Sequence, residues 1–174
     1  MEEQKAPGMV RIAAKYGLIQ GVLSFLVFFV GAVTGIRGNW VPSLVNLAIL
    51  VVLMVLVHRE IKRTHAGRMT YAQGLGSGTL FAAIGTAISC VFTYIYVKYI
   101  NTGYVAGLVK AQRDAIAARG MSGAQAEQAM AMASAIVTPV GIAVTGLITG
   151  VIVGFILALI VSIFTQVDDP RAVT

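Results

Sequence analysis

Charge is scarce in this chain of 174 residues: Asp, Glu, Lys and Arg together make up 11%, where an ordinary soluble domain carries about 25%. Cysteine is limited to Cys90, so no internal disulfide can staple the fold, and a disulfide-rich secreted module is excluded. A disordered chain is excluded by the opposite property, because 57% of the residues are hydrophobic and such chains lack apolar content. That share and the mean hydropathy of +0.84 describe an integral membrane protein. A membrane helix takes about 20 apolar residues, so four of them need about 80 and leave the rest for loops and tails. The expectation is one membrane domain over residues 1–174 with no room for a second.

Four apolar segments are read as helices, since a bilayer offers a lone segment no other way to pair its backbone. They cover about residues 16–36, 41–57, 74–97 and 139–164. The first follows Arg11 and Lys15 and closes at Arg37; it is too long for the apolar core of a signal peptide, so an uncleaved helix is expected. The second opens after Trp40, a residue suited to the headgroup level, with Pro42 in its first turn. The third ends in Tyr94, Tyr96, Lys98 and Tyr99, an aromatic and basic edge. The fourth begins with Thr138 as cap and Pro139 at the first helical position. After it, Asp168, Asp169 and Pro170 form a short solvated end.

One sizeable polar insert, residues 101–137, separates the third and fourth spans. Tyr104, Val105, Leu108, Gln112, Ala115 and Ile116 fall on one helical face, with Lys110, Arg113 and Asp114 on the other. This predicts an amphipathic helix continuing the third span. Gly120 is a stop signal, and Ser122 with Gln125 reads as a capping box that starts a second helix. The insert is thus an amphipathic helical hairpin, and the fold class is an all-α membrane protein with four transmembrane helices and this hairpin between the third and fourth.

With the amino terminus inside, the inner segments hold eight basic residues: Lys5, Arg11, Lys15, Arg59, Lys62, Arg63, Arg68 and Arg171. The outer ones hold five: Arg37, Lys98, Lys110, Arg113 and Arg119. The bias favours both termini in the cytoplasm, with Lys98 and the three cations of the insert standing against it. Arg59, Lys62, Arg63 and Arg68 are expected to face headgroups. The net charge of +6 does not suggest nucleic acid, since no basic stripe with interleaved aromatics stands on a polar domain.

The chemistry legible here is sparse. No ionisable side chain lies in the middle of a span, where proton-driven transporters usually need one. No base stands beside Ser24, Ser89 or Ser162 to make a nucleophile, so an enzyme is not expected, and no cofactor either. His58, Glu60 and His65 could suggest zinc, but the spacing and the surrounding cations favour a solvated, headgroup-facing loop. Met121, Met130 and Met132 could suggest copper(I), though methionine on an amphipathic face usually fills gaps.

Glycine spacing is the strongest pattern. Gly146, Gly150 and Gly154 fall four apart on the fourth span, with Gly17 and Gly21 on the first and Gly74 and Gly78 on the third. Such grooves let helices approach closely, within one bundle or against a second copy or another membrane protein. Gln20, Asn46, Thr79, Thr86, Ser89, Thr93, Thr145 and Thr149 are polar residues within spans, suited to bonding across helices or, alternatively, to lining a path for a neutral or lipid-like solute.

Two stretches carry a family resemblance. Ala14-Lys15-Tyr16-Gly17-Leu18-Ile19-Gln20-Gly21 is one; the other runs from Met69-Thr70-Tyr71-Ala72-Gln73-Gly74 through Phe92-Thr93-Tyr94-Ile95-Tyr96 and resumes at Gly120-Met121-Ser122, Glu127, Ala129-Met130 and Thr138-Pro139. They resemble an uncharacterised bacterial inner-membrane family, a domain of unknown function common in Bacteroidetes and neighbouring phyla. The resemblance implies four membrane helices with a helical insert before the last, and implies no activity, cofactor or catalytic residue. The expected role is interaction or assembly; the alternative is a small channel or transporter.

Overall fold

Apolar runs that cannot hydrogen-bond to lipid pair their backbones internally, and the chain forms helices almost throughout. The structure, a computed structural model, describes residues 8–34 and 40–167. Its elements are α1 (Met9–Thr34), α2 (Val41–Thr64), α3 (Tyr71–Ile95) extended by a π-helical turn (Tyr96–Ile100), α4 (Gly103–Ala118), α5 (Ala124–Ile136) and α6 (Pro139–Thr165). Among the described residues the only β-pairing is an isolated antiparallel bridge between Met69 and Val167. Lys5, Arg37, Asp168, Asp169, Pro170 and Arg171 lie outside the described residues.

Four helices are long and apolar enough to cross a membrane: α1, α2, α3 with its π turn, and α6. The protein is therefore an all-α membrane protein. The shortest of the four, α2, has 24 residues, about 36 Å at 1.5 Å per residue, against a hydrocarbon core of about 30 Å. Each helix exceeds its apolar run. α1 begins at Met9, before Tyr16, and α2 runs on through seven more residues than the expected Val57, to Thr64. Their outward faces carry Leu18, Val30, Val33, Leu44, Val52, Ile152 and Ile160, all exposed, a surface suited to lipid tails.

The described residues form two compact units. The first takes those within Met1–Ser89 and Leu147–Thr174. Its core is built from Ile12 and Ala13 of α1, Leu50, Leu53, Met54, Val57 and Ile61 of α2, Phe81 and Ala82 of α3, and Ala158 and Val161 of α6. Lys15 meets Glu60, and Met69 pairs with Val167. The start of α1, the end of α2, the start of α3 and the end of α6 therefore share one end of this unit. Successive helices run antiparallel.

The second unit is Cys90–Gly146. The π turn closes with the Asn101 N–H donating to the Tyr96 carbonyl at 2.8 Å, while Asn101 Nδ2 donates to the Tyr96 hydroxyl at 3.1 Å. The expected continuous helix is thus interrupted at Asn101 and Thr102, and α4 restarts at Gly103. It packs on α5, as expected of a helical hairpin. Gly120, at φ 72°, stops α4 in the left-handed region that glycine enters without steric cost. The Ser122 capping box does not form. Gly123, at φ 62°, is the residue before α5 and no side chain caps the helix, so Ser122 stands one position too early.

Candidate functional site

The buried face of α2 repeats every three or four residues through Leu50, Leu53, Met54, Val57, His58 and Ile61, the register of a helix packed along one side. That register carries on past the last purely apolar residue. His58 is therefore fully buried, and the expectation of a solvated loop is corrected: the helix continues to Thr64, with Lys62 and Arg63 in its last turn, where cations suit the helix dipole. A period continued through Ile61 was the signal that could have placed His58.

Three helices meet at this imidazole. Nε2 lies 3.0 Å from the Gly74 carbonyl of α3, and Nδ1 lies 2.7 Å from Thr165 Oγ1 of α6. A carbonyl only accepts, so Nε2 carries a hydrogen. The Thr165 hydroxyl also reaches the Val161 carbonyl at 2.8 Å, and the Ser77 hydroxyl donates to the Gly74 carbonyl at 3.1 Å. Space comes from two of the expected packing glycines. A Cβ at Gly78 would stand 3.3 Å from His58 Nε2 and 3.0 Å from the Ala158 Cβ, and one at Gly74 would stand 2.9 Å from Ser162 Oγ. Ser162 is fully buried, and its hydroxyl has no hydrogen-bond partner among the described residues.

Two residues further on, Glu60 faces α1. Tyr16 donates its hydroxyl to Glu60 Oε2 at 2.5 Å, and Lys15 Nζ sits 3.3 Å from Oε1 and 5.1 Å from the Tyr16 ring centroid. This cluster ties the start of α1 to the end of α2. Arg59, Arg63 and Arg68 are exposed and Lys62 is half-buried. His65 does not join His58: its Nδ1 lies 3.0 Å from the Ile61 carbonyl at the end of the same helix. Among the described residues no three of His, Cys, Asp and Glu come together as metal ligands.

The remaining packing glycines mark close helix approaches. On α1, a Cβ at Gly17 would lie 3.1 Å from the Phe81 carbonyl, and one at Gly21 would lie 2.7 Å from the Gly85 carbonyl. Backbones this near permit weak Cα–H···O contacts. On α6, Gly150 faces Thr86 and Gly154 faces Ala82, each too close for a side chain. Gly146 is looser, with Cys90 Sγ at 3.4 Å from its notional Cβ.

The polar residues of the spans scatter. Gln20 is buried, donates to Ser24 Oγ at 2.9 Å and lies against Gly85, which sequence spacing had not singled out. Thr86 meets Gly150, whereas Thr145 and Thr149 are exposed. In the second unit, α4 and α5 flank an open, shallow pocket of about 310 Å³ whose lining includes Arg113, Ile116, Met121, Glu127 and Met130. Met132 is not part of it and is 67% exposed.

No curated protein and no solved structure matches the chain. Residues 15–166 match the sequence model of a family described as "Protein of unknown function (DUF4199)". That match spans both units and every helix from the second turn of α1 to the end of α6, and by it the chain belongs to the DUF4199 family of proteins of unknown function.

Proposed function

We propose that this protein is a non-enzymatic interaction or assembly component of a bacterial inner membrane, its termini cytoplasmic, which presents the α4–α5 hairpin to a membrane-protein partner or a second copy of itself. The observation that carries this reading is the hairpin itself. Neither α4 nor α5 contains a buried residue, and Met132 and Ile136 are exposed on α5. A helical pair of this kind has apolar surface left to cover.

Two further features agree with it. A solute path needs its polar groups in one line, and the span residues divide among separate helix contacts and exposed positions; this favours packing over transport. A hydrolase needs a base hydrogen-bonded to its nucleophile, and the ring nitrogens of His58 meet the Gly74 carbonyl and Thr165 rather than the Ser162 hydroxyl. The fully buried Ser162 hydroxyl is then without an activating group.

Purification from native membranes in mild detergent, with identification of what co-purifies, tests the proposal. The expected result is a stoichiometric membrane-protein partner or a homo-oligomer, lost on replacing Met132 and Ile136 together by Glu. Repeated recovery of the bare monomer would count against an assembly role.

A further inference from the structure

The geometry points to His58 as a proton-binding site that is fully hydrogen-bonded both with and without its second proton, with the Thr165 hydroxyl as the relay. In the neutral ring, Nε2–H donates to the Gly74 carbonyl and Nδ1 accepts the Thr165 O–H, 2.7 Å away. In the doubly protonated ring, Nδ1–H donates to Thr165 Oγ1, and the hydroxyl turns its hydrogen to the Val161 carbonyl, 2.8 Å away. No heavy atom has to move. An ordinary buried histidine is paired in one state and strands a polar atom in the other, at a cost of about 1–3 kcal/mol.

The proton has a route. His58 is fully buried, but Thr165 is half-buried at the end of α6. A hydronium at that end gives a proton to Thr165 Oγ1 and leaves water. The hydroxyl passes its own hydrogen to Nδ1 and keeps the new one, directed at Val161. Atoms and charge balance, and the positive charge ends on the imidazolium.

The charged surroundings are simple. α6 carries no titratable residue between Pro139 and Thr165, and the first turn of α3 carries only Tyr71. On α2 the neighbours are Arg59, Glu60, Lys62 and Arg63; Lys62 bears on His58, and Glu60 is held by Tyr16 and Lys15 of α1. His65 and Arg68 stand in the connection to α3. No carboxylate is paired with the ring among the described residues, so the two hydrogen-bonding states carry the site. This inference is independent of the assembly role.

The chain contains two histidines, so His65→Asn leaves His58 alone for ring-nitrogen NMR of the full-length protein in lipid nanodiscs. The expected spectrum shows the Nε2–H tautomer when neutral and a second proton at Nδ1 on acidification, with the helices intact. Thr165→Val removes the acceptor that the charged ring needs and should lower the proton affinity about tenfold or more. Thr165→Ser keeps the hydroxyl and should stay within about threefold. Equal affinities in the Val and Ser variants would overturn the relay. Should the Val variant not fold, the His65→Asn protein still decides: a neutral Nδ1–H tautomer, or a ring that stays neutral until the helices are lost, overturns the site.

Discussion

At the scale of single residues, the glycines of the spans are not equivalent, and the difference is what each would strike. A methyl at Gly21 would meet the Gly85 carbonyl oxygen and the Ile88 Cβ, both at 2.7 Å. The first is backbone and cannot swing aside, so α1 and α3 would have to separate. Gly76, on the same α3, has nothing within 4 Å of its notional Cβ. Gly21→Ala is therefore expected to lower stability by about 1–3 kcal/mol, the usual range for overpacking. Gly76→Ala should be neutral or gain up to about 1 kcal/mol from helix propensity. Unfolding in mixed micelles of mild detergent and increasing SDS measures both. Equal stability in the two variants would remove close backbone approach as the reason for Gly21.

At the scale of elements, helix starts are decided by one-residue offsets. Thr138 Oγ1 accepts the Gly141 N–H at 2.9 Å, so Thr138→Ala should cost about 1 kcal/mol and speed amide exchange in the first turn of α6. Ser122→Ala should change neither, since α5 starts after Gly123 without a side-chain cap. Hydrogen exchange followed by mass spectrometry separates the two cases, and faster exchange in α5 of the Ser122→Ala protein would contradict the offset.

The same offsets explain what was legible in the sequence. Four helices and a hairpin follow from composition, because a bilayer admits few alternatives. The Thr138–Pro139 start is visible because cap and proline agree. A Ser or Thr followed three residues later by Gln occurs at both Thr70 and Ser122, and only the first forms the reciprocal pair, with Thr70 N donating to Gln73 Oε1 at 3.0 Å and Gln73 N to Thr70 Oγ1 at 3.3 Å. What differs is Gly123 at positive φ, a backbone choice that no spacing rule records. The end of α2 was hidden for a related reason. Polar residues begin at His58 while the helix continues to Thr64, so composition marks where the apolar run stops and periodicity marks where the helix does. The junction of His58 with Gly74 and Thr165 joins residues 16 and 107 positions apart, and only the antiparallel arrangement brings them together.

At the scale of the molecule, that arrangement gathers cations. Arg11 and Lys15 lie near the start of α1, and Arg59, Lys62, Arg63 and Arg68 at or beyond the end of α2. In the first unit these share the end where Met69 pairs with Val167. Basic residues close to membrane helices are retained on the cytoplasmic side, and the neighbouring anionic headgroups favour each by about 1 kcal/mol. The Lys15–Glu60 contact offsets little of this, because among the described residues at that end one carboxylate stands against six cations. The cations Lys98, Lys110, Arg113 and Arg119 oppose this orientation, but they number four against the six at the other end. If each apolar helix crosses once, Arg63 and Arg113 are separated by α3 alone and must lie on opposite faces. Single cysteines at these two positions, in a Cys90→Ser background, should then differ in intact cells: a membrane-impermeant maleimide should label position 113 and spare position 63 until the membrane is opened. Labelling of both from one side would contradict four crossings, and the reverse pattern would invert the orientation while leaving the antiparallel bundle intact.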